Sequence, residues 1–112
     1  MTTLDVTIRD GPDRVHVELS GELDLATAPK LEDELRRIED VGPALIVLDL
    51  RPLTFMDSSG LRALLATDAR AREAGRRLVL IRGDERVQRV LRITRLDERL
   101  EIVDDVDAVA GA

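Results

Sequence analysis

Two consecutive serines, Ser58 and Ser59, are the residues of this sequence whose type and position could support chemistry. They follow Asp57, precede Gly60 and stand where an apolar run ends and a helical spacing of leucines begins. A phosphoryl group on a hydroxyl at a helix start is stabilised by free backbone N–H groups and by the helix dipole. The pattern therefore allows a phosphorylation site. Asp and Ser are also ordinary helix-capping residues, so spacing alone leaves a purely structural role open.

The elements that must position the serines are a strand before them and a helix after them. The run from Leu45 to Leu50 is apolar except for Asp49, which is typical of a central strand covered on both faces. Residues 53–56 then lead into the serine loop. A helix is predicted to begin at Ser58 or Ser59, because apolar residues recur at helical spacing at Leu61, Leu64, Leu65 and Ala69.

The rest of the chain alternates between strand and helix patterns. Residues 4–8 and 15–19 alternate apolar and polar residues around a turn at 10–13, which predicts an antiparallel hairpin. Helical stripes follow at 31–38 and 87–94, short strands at 78–81 and 100–103, and a short helix at 106–109. We therefore predict an α/β fold with a mainly parallel mixed sheet that includes an antiparallel N-terminal strand pair. About four helices are expected to pack on this sheet, and residues 1–112 are expected to form one domain.

Composition narrows the functional classes. The chain has 112 residues, and 23 acidic against 17 basic residues give a net charge of −6, which disfavours nucleic acid and anionic membranes and favours a protein partner. The absence of cysteine excludes disulfides and thiolate chemistry and suits a reducing cytoplasm. Neither a targeting signal nor an apolar run approaching about 18 residues is evident, so we expect a cytoplasmic protein without a membrane segment.

Single residues of chemical interest are given ordinary roles. His16, the only histidine, is predicted on the solvent side of its strand, and the sole aromatic residue, Phe55, in the core. The arginines at 70, 72, 76 and 77 are interpreted as a solvated helix face. Since no carboxylate pair, metal-ligand cluster or phosphate-binding glycine loop is found, we predict no enzymatic activity, no metal and no cofactor.

The segments GELDLATAP and DLRPLTFMDSSGLRALL resemble the STAS domain family of bacterial anti-sigma factor antagonists, and the likeness covers nearly the whole chain. The resemblance implies that Ser58, the first serine of the D-S-S-G loop, is phosphorylated by an anti-sigma factor that is also a serine kinase. Only the unphosphorylated form would capture that partner and release a sigma factor, and a serine phosphatase would reset the switch. The alternative is a STAS module of a stress-signalling scaffold or of a transporter complex.

The resemblance also implies a partner-binding surface, formed by Asp24, Asp57, Ser58, Ser59 and Gly60, on a protein that we expect to be a monomer. Two roles for Asp24 stay open, namely a turn residue that fixes its own backbone and a residue that shapes the partner surface. Asp57 is interpreted as a loop-shaping or partner-contacting group.

Two departures from the family pattern occur in the third helical region. Glu85 stands where members often have a proline, and Arg95 stands where they often have a glycine. These departures put in doubt whether the local backbone and the choice of partner match those of the family.

Overall fold

The computed structural model describes residues 2–109, which form an α/β fold. The strands are β1 (Leu4–Asp10), β2 (Arg14–Leu23), β3 (Leu45–Asp49), β4 (Leu53–Met56), β5 (Arg77–Ile81) and β6 (Glu101–Val103). The helices are α1 (Ala28–Val41), α2 (Ser58–Ala74) and α3 (Glu85–Ile93), with 3₁₀ turns at Leu96–Glu98 and Val106–Ala108.

The sheet is mixed, as predicted. Its order is β1-β2-β3-β5-β6, with β1 antiparallel to β2 and the other neighbours parallel. The short strand β4 pairs with the last residues of β2, Gly21 to Leu23, beyond the part of β2 that pairs with β3. The prediction of about four helices was slightly high for the described residues. The expected C-terminal helix is one 3₁₀ turn, because a segment this short cannot sustain an α-helix by itself.

The two faces of the sheet are covered differently. The main core lies between the sheet and the helices and includes Val17, Leu19, Leu48, Leu64 and Leu91, all fully buried. The opposite face carries a smaller cluster, with Val103 and Val106 packed against Leu45, Val47, Val79, Ile81 and Val109. The C-terminal segment therefore covers part of the face that has no helices.

The environment of His16 differs from the predicted one. Its side chain does lie on the face opposite Val17, but only 16% of it is exposed, and Nε2 is 3.1 Å from Oδ2 of the buried Asp49. Arg51 donates to the same carboxylate from its backbone N–H, from Nε and from Nη2, at 3.1, 2.9 and 2.6 Å. Burial raises the pKa of Asp49, yet the hydrogen bonds from Arg51 and His16 outweigh it, so that the pKa lies below its usual value.

The prediction that Phe55 belongs to the core was wrong. Leu53 and Met56 of β4 are buried, but Thr54 and Phe55 between them are exposed, with 47% of Phe55 accessible to solvent. The register between β2 and β4 shifts at Gly21 and Glu22, and such an irregularity breaks the alternation of faces. As a result, the only aromatic side chain lies on the surface, two residues before Asp57.

Two of the arginines near the end of α2, Arg70 and Arg76, form contacts within the fold instead of lying on a solvated face. Arg70 forms a two-bond ion pair with Glu39 of α1, at 2.7 and 3.1 Å, and only 20% and 12% of the two side chains are exposed. Arg76 donates to the carbonyl oxygens of Pro43 and Glu39. These contacts fix the end of α1 to the end of α2 and leave the opposite ends of these helices around the serine loop.

Candidate functional site

Asp57 is the N-cap of α2. Its backbone is extended, and its Oδ1 accepts the N–H groups of Ser59 at 2.8 Å and of Gly60 at 3.3 Å. Its own N–H donates to the carbonyl oxygen of Leu23 at the end of β2, at 3.2 Å. These bonds connect the helix start to the sheet and occupy the first free donors of the helix. Asp57 therefore shapes the loop, which is one of the two roles that the sequence left open, and its contact with a partner stays a prediction.

The two serines occupy different environments. Ser58 is the first residue of α2 and is exposed, whereas Ser59 is 9% exposed and its Oγ accepts a hydrogen bond from Nη2 of Arg62 at 3.2 Å. Since Asp57 accepts the N–H bonds of the helix start, the Ser58 hydroxyl is not needed as a cap. Ser58 is thus the serine that a modifying enzyme could reach without disturbing the first turn.

Gly60 is buried and permits close packing between α2 and the sheet. A β-carbon at this position would lie 2.6 Å from Cγ of Met56 and 2.8 Å from Cγ of Leu23. Separations this short require one of the neighbours to move. The predicted contribution of Gly60 to partner binding would therefore act through the loop that it allows, rather than through a side-chain contact.

Asp24 has the geometry of a turn residue. Its Oδ1 accepts the N–H groups of Ala26 and Thr27 at 3.0 and 3.1 Å, and its own N–H donates to Oγ1 of Thr27 at 2.9 Å. The hydrogen bond from Thr2, joined by those from Thr27 and Ala26, lowers the pKa of Asp24 despite some desolvation. Of the two roles left open by the sequence, the turn is present, and it does not exclude the other.

Two of the surface grooves are lined in part by residues of the serine loop. One, of ≈ 590 Å³, is lined by Asp24 and Asp57 together with Thr2, Glu22, Thr54, Phe55 and Arg86. The other, of ≈ 290 Å³, lies between the starts of α1 and α2 and is lined by Ser59 and Arg62 together with Leu25, Ala28, Pro29, Glu32, Asp33 and Ala63. In the chain, Ser58 lies between Asp57, which lines the first groove, and Ser59, which lines the second.

The surface around Ser58 combines acidic and apolar groups. The grooves contain the carboxylates of Glu22, Asp24, Glu32, Asp33 and Asp57 but only two guanidinium groups, those of Arg62 and Arg86. Leu25 and Phe55, exposed by 74% and 47%, add an apolar side chain to each groove. Exposed apolar residues ringed by polar groups are typical of protein interaction sites.

The structure places Asp24 and Asp57 in one groove and Ser59 in the other, whereas Ser58 and Gly60 line neither. The residues Arg62, Leu25 and Phe55 also line these grooves and were not predicted from the sequence. The position of Arg62, four residues after Ser58 on one helix, was a usable signal, because such residues are neighbours on a helix surface. Phe55 carried no such signal, since its exposure depends on the irregular pairing with β2. Among residues 2–109, no group of three or more His, Asp or Glu side chains could hold a metal ion.

The two departures in the third helical region have defined structural effects. Glu85 is the first residue of α3 and accepts a hydrogen bond from Arg92 at 2.6 Å, while Asp84 caps the helix through the N–H of Val87. Arg95 follows α3 with φ of 61°, in the left-handed region that glycine adopts most readily. The backbone therefore keeps a conformation suited to the glycine of the family pattern, without the glycine.

The fold and the serine loop define a member of a known class. The STAS domain family model matches residues 3–109, and the chain belongs to this family. An anti-sigma-B factor antagonist of Listeria monocytogenes is 29% identical over 100 residues, which cover 89% of this chain and 87% of the relative. The anti-sigma-F factor antagonist RsfB of Mycobacterium tuberculosis is 28% identical over 110 residues, covering 97% of this chain and 89% of the relative.

A solved structure supports the same assignment of fold. The crystal structure of an anti-sigma factor antagonist from Mycobacterium paratuberculosis superposes with a TM-score of 0.83 at 26% identity, covering 94% of this chain and 89% of the other. Within residues 2–109, no helix is both long and apolar enough to cross a membrane.

Proposed function

We propose that this protein is an anti-sigma factor antagonist, a regulatory binding protein rather than an enzyme. In its unmodified form it captures an anti-sigma factor and so releases a sigma factor. The observation that carries the proposal is the state of Ser58, an exposed hydroxyl at the first position of α2, with its helix already capped by Asp57. The names of the relatives support the same class of partner.

The surface that would contact the partner consists of the two grooves on either side of Ser58. Asp24 and Asp57 supply carboxylates to one groove, Ser59 lines the other, and Phe55 and Leu25 supply apolar contact area. Aromatic and apolar side chains that become buried dominate the energy of most interfaces, while the charged rim fixes orientation.

Phosphorylation of Ser58 by the anti-sigma factor, acting as a serine kinase, would switch this surface off. A phosphoryl group adds roughly −1.5 to −2 charges near neutral pH, beside the carboxylate of Asp57. An interface that closes over this group must remove its water, and an incompletely paired buried charge costs several kcal/mol. Folding survives because the hydroxyl is exposed and is not the helix cap. A serine phosphatase would restore binding.

The test uses the purified protein, an anti-sigma factor kinase from the same organism, and ATP. Mass spectrometry should find phosphate on Ser58 both in the parent chain and in the Ser59→Ala variant. It should find no phosphate in the Ser58→Ala variant. Calorimetric titration should find full capture by Ser58→Ala, weak capture by a folded Ser58→Asp, and weakened capture by Asp24→Ala and Phe55→Ala. Phosphate on Ser59 alone, or on neither serine, would contradict the assignment of Ser58 as the switch.

A further inference from the structure

Arg62 lies one helical turn after Ser58, and its side chain extends back towards the start of α2. Its Nη2 donates to Oγ of Ser59 at 3.2 Å, and among residues 2–109 its guanidinium has no other hydrogen bond and no ion pair. A guanidinium carries five N–H donors, so donors remain for a second acceptor. Side chains four residues apart on a helix are neighbours, with β-carbons about 5–6 Å apart. The guanidinium is therefore within reach of a group attached to Ser58.

A phosphoryl group on Ser58 would find three backbone donors of the first turn, those of residues 59–61, already occupied. The N–H groups of Ser59 and Gly60 donate to the Asp57 carboxylate at 2.8 and 3.3 Å, and the N–H of Leu61 donates to the Asp57 carbonyl at 3.1 Å. The phosphate could accept these bonds only by displacing Asp57, and it would remain next to that carboxylate. A separate cation is consequently the favourable partner for the new charge.

Two arginines line the grooves beside the serine loop, and their present partners differ. Arg86 is bonded to the Asp84 carboxylate at 2.9 Å and belongs to α3. Arg62 is bonded only to the neutral hydroxyl of Ser59 and belongs to the same helix as Ser58. Moving Arg62 from a neutral acceptor to a phosphate gains a charge-assisted bond, whereas moving Arg86 would break one.

We infer that Arg62 is the intramolecular ligand of phosphorylated Ser58. In the unmodified protein its guanidinium donates to Ser59; after phosphorylation it turns to the phosphate oxygens and leaves the Ser59 hydroxyl. The inference rests on the proposed phosphorylation of Ser58 and adds the residue that stabilises the modified form. Arg62 thereby takes part in regulation although it lies outside the D-S-S-G motif and is not the helix cap.

The test needs a chain that carries phosphoserine at position 58, incorporated during translation so that no kinase is required. Titration of the phosphate followed by ³¹P NMR should give a lower second pKa in the parent chain than in Arg62→Gln, by about 0.5–1 unit, since a nearby cation favours the dianion. Arg62→Lys should restore part of the difference, because an ammonium group keeps the charge without the fork of donors. Arg86→Gln is the matched control and should titrate like the parent.

Thermal unfolding gives a second readout that separates phosphate binding from a general structural role. Arg62→Gln should lower Tm more in the phosphoserine chain than in the unmodified chain, in which only the bond to Ser59 is lost. Equal phosphate titrations in the parent and in Arg62→Gln, or a shift caused by Arg86→Gln instead, would overturn the role of Arg62. Failure of the kinase to modify Ser58 would overturn the proposed function, and the NMR result does not depend on that assay.

Discussion

Helices α2 and α3 begin with the same capping arrangement. Asp57 and Asp84 both have an extended backbone, with ψ of −167° and 173°, and both carboxylates accept N–H groups of the first turn. Asp84 accepts from Val87 at 3.1 Å, and this bond, with those from Arg86, lowers the pKa of Asp84 in spite of slight desolvation. Capping therefore does not distinguish the candidate site from an ordinary helix start.

The difference lies in the first helical residue. In α3 this residue is Glu85, whose carboxylate is bonded to Arg92 at 2.6 Å, and Arg86 is bonded to Asp84. In α2 it is Ser58, an exposed hydroxyl whose nearest helical cation, Arg62, has no ion pair among the described residues. The acidic groups at the start of α3 are paired with Arg86 and Arg92 of the same helix, whereas the first turn of α2 has a neutral hydroxyl to which a charge can be added.

The largest expected effect concerns the third helical residue, which is Gly60 in α2 and Val87 in α3. Gly60→Ala places a β-carbon within 3 Å of Met56 and Leu23, so we expect a loss of about 2–3 kcal/mol in the free energy of unfolding. Gly42→Ala is the control, because its β-carbon would contact nothing within 4 Å and its φ of 80° alone should cost about 1 kcal/mol. Urea unfolding measures both, and equal losses would show that the packing at Gly60 is not tight.

The next effect separates capping from binding. Asp57→Ala and Asp84→Ala each remove an N-cap acceptor and should each cost about 1 kcal/mol in urea unfolding. Only Asp57→Ala should also weaken capture of the anti-sigma factor in calorimetric titration, since Asp57 adjoins the switch residue. An equal loss of capture in Asp84→Ala would place the partner surface at both helix starts and remove the distinction between them.

The ends of the two helices differ in a way that predicts a gain. Helix α2 ends at Gly75 with φ of 68°, whereas the left-handed residue after α3 is Arg95, with φ of 61°. Arg95→Gly should stabilise the protein by about 0.5–1 kcal/mol, because relief of left-handed strain exceeds the added freedom of the unfolded chain. Thermal unfolding measures this gain. Arg95→Ala keeps the β-carbon, so it should bring no gain in stability in the same experiment. A gain from Arg95→Ala would instead assign the effect to the side chain.

The sequence predicted best what depends on local spacing. The start of α2, predicted at Ser58 or Ser59 and found at Ser58, follows from residues close together in the chain. The position of Asp24 beside the loop does not, because it was implied by the family resemblance. The two misplaced side chains depend on distant segments. Phe55 is exposed because the pairing of β4 with β2 is irregular, and His16 is partly covered because its strand face adjoins Asp49 and the residues packed by the C-terminal segment. Periodicity within one element cannot report the register or the cover supplied by another.

Variants of the first residues of α2 and α3 should change stability least, and one of them should change partner binding most. Exchanging the first residues, as Ser58→Glu in one variant and Glu85→Ser in another, should change the free energy of unfolding by less than about 0.5 kcal/mol each, since neither residue is the cap. Ser58→Glu gives α2 the negative charge that α3 already has, close to a favourable helix dipole but inside the proposed interface. Calorimetric titration should find capture abolished in Ser58→Glu and unchanged in Glu85→Ser. Full capture by Ser58→Glu would mean that charge at this position does not control binding, and that any effect of phosphorylation must come from the size of the group or from its contact with Arg62.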